Sequence, residues 1–72
     1  MTIGEQRVRM NFNPSADTAV EDIKRRAADC IDWCHSRFEA STDAEVRRLY
    51  ALAMTDFEAA AMWAVKAATA GK

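Results

Sequence analysis

From Asp56 to Ala68 the chain reads DFEAAAMWAVKAA, and apolar side chains there point to nearly every side of a helix. At about 100° per residue, Phe57, Ala60, Ala64 and Ala67 fall on one flank, Ala59 and Trp63 on another, and Ala61, Val65 and Ala68 on a third. After Asp56 only Glu58 and Lys66 carry charge. One partner helix covers one seam, so a helix apolar over most of its circumference needs several neighbours. A chain this short does not supply them, and the pattern predicts that they come from other copies of itself. Phe57, Met62, Trp63 and Val65 are the residues expected at those contacts.

Upstream the pattern changes twice. Residues 1–6 carry no periodicity and are expected to fray. Val8, Met10 and Phe12 then alternate with Arg7, Arg9 and Asn11, the period of a short extended segment, until Pro14 stops it. Residues 1–15 are therefore expected to form an N-terminal arm. A first helix over residues 16–38 follows, beginning at the Thr18–Glu21 capping-box sequence and carrying a stripe of Val20, Ile23, Ala27, Cys30, Ile31, Cys34 and Phe38. Trp33 lies off that stripe and is assigned to a second contact, between subunits or against the arm. Thr42 with Glu45 repeats the capping sequence and opens a second helix over residues 43–69, which contains neither proline nor glycine; Gly71 is the expected stop. The fold class is all-α: a single domain, an antiparallel hairpin of two long helices with a short extended arm, assembled as an oligomer.

Composition narrows the function. Ten Lys and Arg against eleven Asp and Glu give a net charge of −1, so the whole chain has no field to gather nucleic acid or an anionic membrane. Basic side chains are nevertheless locally concentrated, in Arg7 and Arg9 on the arm and in the Lys24-Arg25-Arg26 triplet. Two cysteines four residues apart on a helix do not pair, and no leader or long apolar run is recognisable, so a soluble, reducing, cytoplasmic setting is expected.

Cys30, Cys34 and His35 invite a metal reading, but the cysteines belong to the apolar stripe and His35 points about 100° away from Cys34. Two buried thiols and no metal are expected. Asp56 shares the Leu49, Leu52 and Trp63 face, which suits a contact fixing the register of an assembly better than an acid catalyst. No nucleophile–base pair, phosphate loop or paired-carboxylate site is present, so no catalytic residue and no cofactor are assigned. The remaining candidate site is the arm with the start of the first helix. Phe12 offers a ring on which a base can stack, Ser15 and the helix N-terminus suit a phosphate, and Lys24 adds a positive charge; Arg9 and Asn13 lie between them. The competing reading has Phe12 packed on the core and Lys24 in solvent.

The run EAAAMWAVKAAT, with NPSADTAVEDIKRRAA near the start and ALAMTDFE before the tryptophan, resembles the hairpin domain of phage anti-CBASS and anti-Thoeris sponges. The resemblance spans most of the chain from Phe12 to Thr69. It implies a small helical protein, often a hexamer, that binds cyclic dinucleotides or related cyclic nucleotide signals without cleaving them, in the cytoplasm of the infected bacterial host. By the same resemblance Phe12 stacks on bases and Lys24 meets phosphates. The sequence departs from the pattern at Met54, where relatives carry an arginine, and it leaves no room for the β-rich region of the anti-Thoeris branch. Cyclic dinucleotides are therefore the favoured ligand and cyclic ADP-ribose isomers the alternative. From other classes, a ribbon-helix-helix DNA-binding module fits the order of arm and helices but not their length or charge, and a purely structural assembly protein shares the helices without a ligand.

Overall fold

In the computed structural model, which describes residues 1–13 and 17–70, the chain forms three helices, α1 (Ile3–Arg7), α2 (Thr18–Ala40) and α3 (Ala44–Thr69). α2 and α3 pack together as the hairpin, and α1 lies on α2. There is no strand among the described residues.

The long helices are capped by aspartates. Asp17 Oδ1 accepts from the N–H groups of Ala19 (2.8 Å) and Val20 (3.2 Å), and Asp43 Oδ1 does the same for Glu45 (2.9 Å) and Val46 (3.1 Å). Thr18 is thus already helical and Thr42 stands outside, so neither expected capping box forms. A carboxylate caps at least as well as a hydroxyl, and its charge is also favoured at the positive end of the helix. The first helix thus begins at Thr18, the late end of the expected range, and it runs two residues beyond the expected end, to Ala40.

The expected extended arm is not found. Thr2 Oγ1 accepts from Glu5 N–H (3.1 Å) while the Glu5 carboxylate accepts from Thr2 N–H (2.8 Å), and this capping box starts α1 where fraying was expected. α1 ends in a Schellman turn: Met10 N–H donates to Glu5 O (3.0 Å) and Arg9 N–H to Gln6 O (3.2 Å), with Arg9 left-handed at φ 56°. The reversal turns both Val8 and Met10 towards the hairpin, which a strand with one apolar edge would also have done. Alternation over three apolar residues does not separate the two cases. Without a ribbon, the ribbon-helix-helix alternative loses the element that would enter DNA.

In the core, Ala27, Ala28, Ile31 and Cys34 of α2 meet Met54 and Ala61 of α3 and Val8 of the turn. Cys30 is exposed, not buried with Cys34 as expected, because it sits at the edge of the stripe. Near the α2–α3 connection Arg47 stacks 4.1 Å over Phe38 and donates to Ser41 O (3.1 Å). Trp33 meets Tyr50 edge-on at 6.0 Å but stays exposed, and so do Leu49, Leu52, Asp56, Met62 and Trp63 along α3.

Candidate functional site

α1 runs along α2 in the opposite sense, so successive residues meet α2 in descending order. Gly4 lies against Ala28 and Asp32, Glu5 pairs with Arg25 (2.9 Å), and the turn after α1 reaches Lys24. Lys24 is buried, 5 % exposed, and its ammonium donates to the carbonyl of Arg9 (2.9 Å) and to that of Phe12. Burial, with a smaller contribution from the Arg9 charge, lowers the lysine's pKa from its ordinary value. Of lysine's three N–H donors, two are held by the turn. Phe12 is 65 % exposed, with its ring centroid 5.6 Å from Lys24 Nζ. The structure therefore departs from the competing reading at both residues: the lysine is inside and the phenylalanine outside.

Arg9, Phe12 and Lys24 border one cavity of about 400 Å³, which Arg7 and Glu58 complete. Its apolar wall comes from Val8, Ala61, Met62 and Val65. Arg7 Nε donates to Glu58 Oε1 (2.7 Å) and Arg7 Nη2 to Thr55 Oγ1 (3.2 Å), a bridge from the end of α1 to α3. Three cations against one carboxylate make the lining positive, although the chain is slightly acidic. A shallower pocket of about 340 Å³ shares Arg9 and Phe12, so these two side chains form the ridge between the cavities.

The other expected site residues divide. Asn13 does not line the cavity; it braces the start of α2, with Nδ2 donating to Asp17 O (3.0 Å) and Oδ1 accepting from Asp17 N–H (3.1 Å). Ser15 lies outside the described residues. The helix N-terminus is not open to phosphate as expected, since Asp17 already accepts from the N–H groups of Ala19 and Val20. Of the basic triplet only Lys24 faces the cavity, while Arg25 pairs with Glu5 and Asp29 and Arg26 with Asp22. The Glu5 carboxyl is lowered to about 2, first by the Thr2 backbone N–H and then by Arg25. Glu58 was not among the expected site residues, and nothing in the sequence hints that it pairs with Arg7 at a separation of 51 residues. Among the described residues no three His, Cys, Asp or Glu gather as metal ligands.

Residues 2–69 match the family model described as Acb2/Tad1, hairpin domain. The chain belongs to the Acb2/Tad1 hairpin family. This is a family of phage anti-CBASS and anti-Thoeris sponge proteins, which places the chain among proteins that counter host defence by sequestering its signals. No curated protein and no solved structure matches it. As an Acb2/Tad1 hairpin, the chain has no helix among its described residues long and apolar enough to cross a membrane.

Proposed function

We propose that this Acb2/Tad1 hairpin binds cyclic nucleotide signals, cyclic dinucleotides above all, and holds them without cleaving them. The observation that carries the reading is the meeting of Lys24, Arg9 and the exposed Phe12 ring at one positively lined cavity. Its volume of about 400 Å³ falls in the range of small-molecule sites. A base stacks on any aromatic face, and guanidinium and ammonium groups complement phosphate, so the parts suit a nucleotide better than a neutral ligand. Holding rather than cleaving is supported by the state of the polar groups. Glu58 is engaged by Arg7, and Lys24 is held by two carbonyls, so neither stands as a general base.

The working form in this reading is an oligomer, a hexamer on the family pattern, in the cytoplasm of the infected host. Trp33, Met62 and Trp63 are each more than 60 % exposed on the single chain, and Phe57 is exposed as well. Apolar surface on this scale favours association. Met62 and Val65 belong both to the expected subunit contact and to the cavity wall, so a neighbouring copy would close the site. The test is recovery: the protein is incubated with a cyclic dinucleotide, denatured, and the nucleotide chromatographed. Intact cyclic ligand released only on denaturation is expected; linear products, or no retention, would refute the reading.

A further inference from the structure

We infer that Gly4 and Asp32, which do not line the cavity, are positioning residues for the ligand site. The inference rests on the proposed binding at Arg9, Phe12 and Lys24. α1 has five residues, too few to hold a helix alone. Its place therefore depends on what it touches. A Cβ on Gly4 would stand 2.1 Å from Ala28 O, so helix backbones meet here at a distance only glycine permits. Gly4 N–H is one of the first-turn donors that a helix leaves unbonded, and Asp32 Oδ1 accepts it at 2.7 Å. Asp32 thus acts as a cap supplied by a different helix, and it fixes α1 lengthwise on α2.

The consequence appears at the other end of α1. The Schellman turn is hydrogen-bonded back to Glu5 and Gln6, the two residues after Gly4, so the turn moves with the helix. That turn carries the carbonyls of Arg9 and Phe12 that receive Lys24, and with them the Phe12 ring. Any side chain at position 4 must push α1 off Ala28 by more than about an ångström to reach ordinary contact, and the displacement passes directly to Phe12 and Lys24. Glycine is otherwise a poor choice inside a helix, which agrees with a position kept open for close approach.

The variants are Gly4→Ala, Asp32→Ala and Asp32→Asn, measured as the intact oligomer or monomer that the chain forms. Calorimetry with cyclic di-adenylate and cyclic guanylate-adenylate gives affinity; hydrogen exchange at the Met10 and Phe12 amides reports the turn, and the α2–α3 amides report the hairpin. Gly4→Ala and Asp32→Ala are expected to weaken binding by about tenfold or more, the scale of one lost charge-assisted hydrogen bond. Exchange should quicken at Met10 and Phe12 only. Asp32→Asn, which keeps an acceptor, should stay within a few-fold of the parent. Unchanged affinity in both Gly4→Ala and Asp32→Ala, or quickened exchange across the whole hairpin, would overturn the positioning role while leaving the proposed function standing. A parent that binds neither nucleotide would overturn the proposed function and this inference with it.

Discussion

Two of the three N–H donors of Lys24 are occupied by the turn it supports, so the residue has to be judged as a structural link as well as a charge. Arg9 has a similar double character. It holds a left-handed backbone, where a non-glycine residue costs about 1–2 kcal/mol, while its side chain borders the cavity. Arg9→Gly should raise stability by about 0.5–1 kcal/mol, the relieved strain being partly offset by the freer unfolded chain. It should also weaken nucleotide binding, because a cation leaves the lining. Denaturant midpoints and calorimetry check the two halves, and a loss of stability would contradict the left-handed turn. The capping residues show how local sequence is read and misread. At the helix starts Thr-x-x-Glu occurs at Thr2, Thr18 and Thr42, yet only Thr2 forms the reciprocal box. At the other two an aspartate next to the threonine takes the cap, and the rule as applied to Ser or Thr does not weigh that competitor.

At the scale of elements, α2 and α3 were legible because their periodicity is long and uninterrupted, so errors at the ends leave the stripes intact. α1 was not legible. Its one local signal is the Thr2–Glu5 capping sequence; its five residues have no periodicity of their own, and they are held in place by Asp32, Arg25 and Glu58, which lie far away in sequence. The same reasoning explains why Phe12 and Lys24 could be picked from residue type, while their meeting through the turn's carbonyls could not. The exposed face of α3 supplies the element-level prediction. Trp63 is 65 % exposed on the single chain, with Lys66 5.4 Å over its ring, so Trp63→Glu creates no buried charge unless another copy covers it. In the assembled protein the variant should lose several kcal/mol, on the order of 3–5, and dissociate, as measured by light scattering at micromolar concentration. A stable folded monomer for the parent would remove assembly from the account.

For the molecule as a whole, charge is distributed so that the site is visible only locally. The net charge is −1, yet Arg7, Arg9 and Lys24 come together at one cavity from α1, its turn and α2. Arg7 and Arg9 are near neighbours in sequence already, and folding adds Lys24 from α2. The remaining acid in that lining, Glu58, ties α1 to α3 through Arg7, so the N-terminal segment, the hairpin and the cavity share one set of bonds. The most direct test of this account is calorimetric titration of the parent, Lys24→Ala and Phe12→Ala with a cyclic dinucleotide at two salt concentrations. The parent should bind. Lys24→Ala should bind more weakly and with a shallower salt dependence, since a phosphate contact is lost, whereas Phe12→Ala should cost about 1–3 kcal/mol with the salt dependence kept. Parent-like affinity in both variants would contradict the assignment of the nucleotide to this cavity.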